Sequence, residues 1–594
     1  MQSHQHASKG RRKFRPHVEE LEQRRLLTLL PAATTSSIGV LEDQLALLTP
    51  APEVTFAATH CAGTQKQTSD LNQLYLNINP NWYLLHYQLG TGNSVFQYII
   101  NNSWTQDFDP AAPYFVNNPP AGPGGVTSHE DWFEHSDGSL DPSTLGNRLV
   151  NAYGLYLANI DSPGWRNYEA QTLVQNMVAT GAGGVFADSF AGPTFGYYTN
   201  QGDKRYDYGG PIPGPADPSL WPNGETWLTK AANYMSYIQG QLTAAGEALY
   251  GPGGGFAYVP NGGTLTTGWA DIDYSASKGL FAEGFAVWGQ QITDGDWTMS
   301  MDRALRVTTT GDPANADRMF IMQPYPGATP DSADGLQQRS WAMGSYLLLK
   351  GDHTYINMLG AAVDSGLEWY PEYQVRLGAP QDPGGMPTTI AGYFDPSSQL
   401  YRRYFEHGLV LVNDTGAPQV YNLGQVMQQV IVSGWGGGVR PGDINPVTNQ
   451  YIAGSLSSQL VTTVTVAPYS SVILINQGDP IQRPASPGGG QGAFPVDASP
   501  VAVSAALPLG SWDWDGGFGG TLRRQRDQTS SGTTTPPSSS PMSGGPAQPD
   551  VLDAATVLHT TGEVDGTWRA VFSAGLTDDM LASFNPEPTA TEIP

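Results

Sequence analysis

Two short stretches share one design. Gly184-Val185-Phe186-Ala187-Asp188 and Gly279-Leu280-Phe281-Ala282-Glu283 are both apolar, strand-like segments that end on an acid. Side chains alternate faces along a strand, so Asp188 shares a face with Phe186, and Glu283 with Phe281. An acid that closes a buried strand of a barrel lies at the end where barrel enzymes do their chemistry. Two such acids over one mouth are the parts that hydrolysis of a glycosidic bond requires. One attacks the sugar or activates water, and the other protonates the leaving oxygen. Singly, either acid also fits as a helix N-cap or a loop hydrogen-bonder. Their repeated context favours the catalytic reading.

The surrounding sequence supplies the elements to position them. Between about residues 53 and 360, apolar runs alternate with helical periodicity and Gly/Pro/Asn/Asp punctuation, the pattern of βα units around a parallel sheet. Eight strands are expected, at 54–60, 82–89, 153–161, 184–188, 255–261, 279–283, 318–325 and 353–358. They predict a (β/α)8 barrel, with a doubly wound open sheet as the alternative. Asp188 and Glu283 then close the fourth and sixth strands. Pro163 behind Asp161 or Ser162 opens a helix whose apolar stripe is Ala170, Leu173, Val174, Met177 and Val178. From about 395, period-two runs rich in Val and Thr read as a C-terminal antiparallel β-sandwich. The expected organisation is a leader or disordered segment over 1–50, a barrel over 51–394, a sandwich over 395–476, and a low-complexity linker and tail over 477–594.

Other residues at strand ends are candidates for binding sugar hydroxyls: His86 and Tyr87, Asp161 and Arg166, Asn261, and Gln323 with Tyr325. Sugar rings stack on aromatic planes, which brings in Trp132, Trp165, Trp288 and Trp369 beside expected strand ends, Trp165 foremost. For each of these the competing reading is structural: core packing for the tryptophans, caps and loop contacts for the polar groups. Asp271 and Asp273 precede the sixth strand and rank below Glu283, and Glu372 reads as structural. The His129-Glu130-Asp131 cluster reads as solvated loop charge. The Gly/Pro/Tyr-rich stretch 190–227 is long for a βα loop and is a candidate lid.

Composition excludes several classes. Of the 594 residues 54 are Asp or Glu and 28 Lys or Arg, and seven of those bases fall in the first 25 positions. The remaining chain is so acidic that it repels nucleic-acid phosphate, so nucleic acid is not an expected partner. A single cysteine, Cys61, permits neither an internal disulfide nor a CxxC site. Neither a G-x-S-x-G elbow, an HExxH zinc motif nor a phosphate-binding G-x-x-x-x-G-K occurs. The two-carboxylate chemistry requires no metal or organic cofactor.

Over roughly 53–475 the sequence is similar to the TIM-barrel glycoside-hydrolase-like proteins, and within them resembles hypothetical glycosyl hydrolase family 15. The stretches that carry the resemblance are NPNWYLLHYQLG (79–90), HEDWFEHSDG (129–138), IDSPGWRNY (160–168), GGVFADSF (183–190), GLFAEGF (279–285), RSWAMGSYLLLKGDHTYI (339–356), EWYPEYQVRLGAP (368–380) and YRRYFEHGLVLVN (401–413). The resemblance implies a barrel followed by a β-sandwich and activity on a carbohydrate substrate. Related retaining α-glycosidases place a nucleophile at the end of strand four and an acid/base at strand six. Carried over, Asp188 is the nucleophile and Glu283 the acid/base. A second, shorter resemblance lies in Phe14, Pro16, Glu19 or Glu20, Leu21, Glu22, Arg24, Leu26 and Leu27. These match the F-x-P-x-x-E-x-L-E-x-R-x-L-L leader of exported proteins in planctomycete-type bacteria. It implies secretion or association with the cell envelope. A short amphipathic helix is the competing reading.

The function expected is therefore a retaining glycoside hydrolase of a polysaccharide or glycoconjugate. The alternative is a non-catalytic carbohydrate-binding or cell-surface protein on the same scaffold.

Overall fold

The structure is a computed structural model, and it describes residues 31, 34–43, 45, 51–67, 72–94, 98–100, 103–105, 132, 149–150, 155–188, 190, 198–199, 227–266, 272–309, 318–360 and 366–482. Its centre is an eight-stranded parallel sheet of β1 (Gly39–Glu42), β2 (Gly63–Gln67), β3 (Tyr83–Leu89), β4 (Gly184–Asp188), β5 (Ala257–Pro260), β6 (Gly279–Gln291), β7 (Met319–Pro326) and β8 (Thr354–Ile356). In space the strands run β5-β4-β3-β2-β1-β8-β7-β6. The ring closes where Asn261, just past β5, bridges in parallel to Phe281 of β6 and Gly262 N–H donates to Phe281 O at 2.8 Å.

The strand periodicity sorts side chains into two cores. Leu41, Tyr83, Leu85, Tyr87, Phe186, Val259, Phe281, Met319, Ile321 and Tyr355 fill the barrel. Leu84, Val185, Ala187, Tyr258, Leu280, Ala282, Phe320, Met322 and Ile356 face the helix layer. Because the strands are covered on both faces, those other than β2 read as apolar runs broken where they reach the mouth.

Two of the eight expected strands are something else. Residues 54–60 belong to helix α1 (Ala51–His60), with Phe56, Ala57 and Ala58 buried. In so short a run the apolar period does not separate strand from helix. Of the described part of 153–161 only Leu155–Leu157 is strand, and it pairs antiparallel with Gly92–Ser94 and Leu149–Val150, outside the barrel. The vacated places are taken by β1, inside the segment assigned to the leader, and by the polar β2. Residues 82–89 thus become the third strand, while Asp188 and Glu283 keep the fourth and sixth. The leader motif, His129, Glu130, Asp131, Asp271, nearly all of the 190–227 stretch, and the tail beyond 482 lie outside the described residues.

The helices follow their sequence signals. After the short α2 (Asn72–Leu76), α3 (Pro163–Thr180) begins with Ser162 accepting a hydrogen bond from Trp165 N–H, has Pro163 in its first turn, and ends at Gly181 in the left-handed conformation. Ala170, Leu173 and Met177 are buried as its stripe predicts, but Val178 is exposed. The outer layer also holds α4 (Trp227–Tyr250), α5 (Asp294–Thr308) and α6 (Ala333–Leu349). Among the described residues no helix is long and apolar enough to cross a membrane.

The C-terminal region is antiparallel: β9 (Leu400–Phe405), β10 (Gly408–Asn413), β11 (Gln419–Gly434), β12 (Gly454–Val466) and β13 (Ser470–Asn476) form its main sheet. One face, with Val410, Val412, Ile473 and Ile475, joins the core around the barrel helices. The other, with Leu409, Leu411, Val472 and Leu474, packs into a separate core to which Tyr421 and Leu423 of β11 contribute. Arg403 of β9 anchors the sheet to the barrel. Its guanidinium donates to the last carbonyls of α6, Leu347 O at 3.0 Å, Leu348 O at 3.1 Å and Lys350 O at 2.7 Å, while its other edge pairs with Asp382 at 2.6 Å. The C-terminal end of α6 thus meets a cation that satisfies its free carbonyls.

Candidate active site

Side-chain alternation carries the inward face of each barrel strand up to a polar mouth. Above Phe186 stands Asp188, above Phe281 stands Glu283, above Leu85 stands Tyr87, and above Ile321 stand Gln323 and Tyr325. Asn261, which closes the ring beyond β5, lies between the two acids. Its Nδ2 donates to Asp188 Oδ1 at 2.9 Å and to Glu283 Oε2 at 2.6 Å. Its own oxygen accepts from Gly263 N–H at 2.9 Å, which fixes the amide with its NH2 toward the carboxylates. Two bonds through one nitrogen hold those carboxylate oxygens no more than about 5.5 Å apart, short of the ~6.5–9.5 Å that an inverting pair leaves for its water.

The two acids meet different surroundings. Asp188 Oδ2 accepts from the Tyr87 hydroxyl at 2.8 Å, so both its oxygens face donors. Burial pushes the Glu283 carboxyl above the usual range. Lys66 opposes that rise, Asp188 adds to it, and the Tyr325 and Asn261 hydrogen bonds pull back. Glu283 is thus a carboxyl raised by burial, and it faces an Asp188 held by the neutral donors Tyr87 and Asn261.

Trp288 stands next to the acid. A bulge in β6 after Glu283 carries Gly284 at φ +67° and Ala286 at φ +62°, and the chain resumes pairing with Trp288 opposite Tyr325. A Cβ on Gly284 would come within 1.7 Å of the Trp288 ring, so glycine is needed both for the backbone angle and for the ring lying over it. The indole is 56% exposed, and its ring centre is 5.2 Å from that of Tyr325 in an edge contact. It is an open aromatic plane beside the carboxylates.

Asn261, Tyr87 and Tyr325 thus touch the acid pair directly. Gln323 does not reach solvent: it is fully buried beneath Tyr325 and orders its neighbours. His86 lies on the opposite face of β3, between the inward Leu85 and Tyr87, buried against the helix layer and unable to bind a substrate in the mouth. Asp161 and Arg166 pair with each other at 2.9 Å, and Lys230 reaches Asp161 at 2.6 Å, tying the start of α3 to α4. Trp165 is completely buried against Trp132 and Tyr168, and Trp132 and Trp369 are core as well. Four of the expected binding residues, His86, Asp161, Trp165 and Arg166, therefore serve the outer shell. Asp273 caps the turn before β6 by accepting from Ser275 N–H, and Glu372 pairs with the buried Arg339 at 2.5 Å.

Sequence reasoning missed two residues of the mouth, Asp43 and Lys66. Lys66 Nζ lies 3.3 Å from Asp43 Oδ2, 3.0 Å from Gln323 Oε1 and 4.0 Å from Glu283 Oε1. A signal for Asp43 existed: Gly39-Val40-Leu41-Glu42-Asp43 is a third apolar run opened by Gly and closed by acid. Among the described residues no group of three or more His, Cys, Asp or Glu side chains is arranged to hold a metal.

The family model for hypothetical glycosyl hydrolase family 15 matches residues 77–409. Among solved structures the chain is similar to Eubacterium rectale Amy13B, at 8% identity and a TM-score of 0.37, covering 75% of this chain and 97% of that one. It is also similar to the pullulanase from Bacillus acidopullulyticus, at 10% identity and a TM-score of 0.34, covering 76% of this chain and 62% of that one. A third similar structure is the alpha-amylase from Geobacillus thermoleovorans complexed with acarbose, at 8% identity and a TM-score of 0.29, covering 75% of this chain and 97% of that one. No curated protein matches the chain.

Proposed function

The chain belongs to hypothetical glycosyl hydrolase family 15, and from that premise we propose that it cleaves a glycosidic bond of a polysaccharide or glycoconjugate by a retaining mechanism, with Asp188 as nucleophile and Glu283 as acid/base. The observation that supports this reading is the single Asn261 nitrogen hydrogen-bonded to both carboxylates. In the first step Asp188 attacks the anomeric carbon while Glu283 gives its proton to the departing oxygen. In the second, water displaces Asp188 and returns a proton to Glu283. Tyr87 and Asn261 orient the nucleophile, Tyr325 and Asn261 the acid, and Trp288 offers a stacking surface for a sugar ring. Export, implied by the leader resemblance, belongs to the same reading.

The test is a glycan panel assayed with the full chain and with Asp188→Asn and Glu283→Gln. The expected result is hydrolysis by the parent with the anomeric configuration kept in the first-formed product, and a fall of roughly a thousandfold or more in each folded variant. Inverted product rejects the retaining assignment. Glycan binding without cleavage in all three proteins favours the non-catalytic alternative.

A further inference from the structure

Among the described residues the mouth holds three acids, Asp43, Asp188 and Glu283, and Lys66 is the cation that faces them. Lys66 lies in a bulge of β2, where the register with β3 shifts between Thr64 and Gln67, and its backbone is left-handed at φ +56°. For a residue with a long side chain that conformation is kept only where surrounding structure enforces it. The ammonium is walled by the rings of Phe186 and Phe281, at 5.3 and 5.2 Å, the phenylalanines that lie beneath the two acids. Burial alone pulls its pKa down, but Asp43, Glu283 and Asp188 together leave it raised, so the group stays charged.

Asp43 and Gln323 set its orientation. Asp43 Oδ2 accepts from both Lys66 Nζ and Gln323 Nε2, at 3.3 and 2.9 Å, which turns Gln323 Oε1 toward Lys66 and the Tyr325 hydroxyl. That hydroxyl lies 2.7 Å from Glu283 Oε1 and 2.9 Å from Gln323 Oε1. It has one proton to give. It can donate to Glu283 when that group is a carboxylate, or to Gln323 when the glutamic acid itself donates to the phenol.

We propose that Lys66, held by Asp43 and Gln323, is the positioning residue of the acid/base, a fixed cation that accompanies Glu283 through both of its protonation states. The proposal rests on the retaining reading. When the bond from the anomeric carbon to the leaving oxygen breaks and the bond to Asp188 forms, the proton leaves Glu283. The negative charge of the pair then moves from Asp188 to Glu283. When water's oxygen bonds to that carbon and its proton passes to Glu283, the charge returns. A cation facing both acids opposes neither transfer.

Among the described residues the groups that face Glu283 are Lys66 from β2, Asp188 from β4, Asn261 beyond β5 and Tyr325 from β7, and Asp43 at the β1 end pairs with Lys66. The experiment follows the Glu283 carboxyl by carbon-13 NMR of the full chain labelled at glutamate side-chain carboxyls, its signal assigned by loss in Glu283→Gln. In Lys66→Met the titration midpoint should rise by about one unit, and Lys66→Arg should bring it back. Should Lys66→Met fail to fold, Asp43→Asn, which frees Lys66 for Glu283, should lower the midpoint. An unmoved midpoint in a folded Lys66→Met, or in Asp43→Asn, overturns the proposal. No substrate enters this measurement. A midpoint that moves in a protein that cleaves no glycan leaves the placement of Lys66 standing and removes the glycosidase reading. Cleavage by the parent with an unmoved midpoint does the reverse.

Discussion

Asp188 and Glu283 end the fourth and sixth strands of the barrel and accept hydrogen bonds from one and the same nitrogen, that of Asn261. Strand β5 separates them in the ring, and Asn261 is the residue that follows it. The gap between the two acids is thus spanned by the element that creates it. Each bond goes to a carboxyl oxygen, and hydrogen bonds to charged groups are worth about 1.5–3 kcal/mol. Asn261→Ala should therefore lower kcat/KM on the order of a hundredfold. Asn261→Asp should lower it further, because it replaces the shared donor with another acid directly between Asp188 and Glu283. Steady-state kinetics on any glycan the parent hydrolyses checks this. An Asn261→Ala variant with parental kcat/KM would show that the bridge does not hold the pair.

What the sequence made legible follows from where each residue's physics is local. The echo GVFAD and GLFAE is readable because a strand buried on both faces must be apolar throughout, and an acid at its end is then conspicuous. Strand β2, GTQKQ, is not readable, because its Gln65 and Lys66 are buried polar residues and the place of Lys66 at the mouth overrides the apolar pattern. Asp43 went unnoticed because β1 lies close behind a basic leader-like segment. His86 and Tyr87 are adjacent candidates in the sequence, but neighbours on a strand face opposite ways, and of the two Tyr87 is the one that faces Asp188. Trp165 and Trp288 look alike as letters in a sequence. The first falls in the opening turn of a buried helix and the second in a bulge that turns it outward, a distinction set by tertiary packing.

That contrast yields a second expectation. Trp288 is the exposed aromatic beside Glu283, while Trp369 is 1% exposed and packs edge-on against Phe56 and Tyr373. Stacking on an aromatic face is worth about 0.5–1.5 kcal/mol beyond area burial. Trp288→Ala should raise KM by about two- to tenfold with kcat little changed, the mark of binding lost equally from ground and transition states. Its thermal midpoint should stay near the parent's. Trp369→Ala should instead destabilise the fold by about 3–5 kcal/mol. Kinetics paired with thermal melts separates the two, and an unchanged KM in Trp288→Ala would remove that ring from the substrate surface.

The third expectation concerns His86, whose imidazole is buried with neither ring nitrogen hydrogen-bonded among the described residues. Burial pulls its pKa from 6.5 down to about 4. Between those values the unfolded chain binds a proton at this position and the folded chain does not. Stability therefore falls as pH drops from about 6.5 toward about 4, and this residue contributes no further loss below that. Glu42 and Glu283, both raised by burial, titrate in the opposite sense, so the wild-type curve alone does not isolate the histidine. The difference between parent and His86→Leu does. Leucine removes an unsatisfied buried polar group and should stabilise the protein by about 1–3 kcal/mol near neutrality. It should also abolish the acid-dependent loss at this position, so its advantage should widen steadily from pH 7 to pH 4.5 in urea unfolding. Two curves that run parallel across that range would mean that His86 takes up its proton in the folded protein as readily as in the unfolded one.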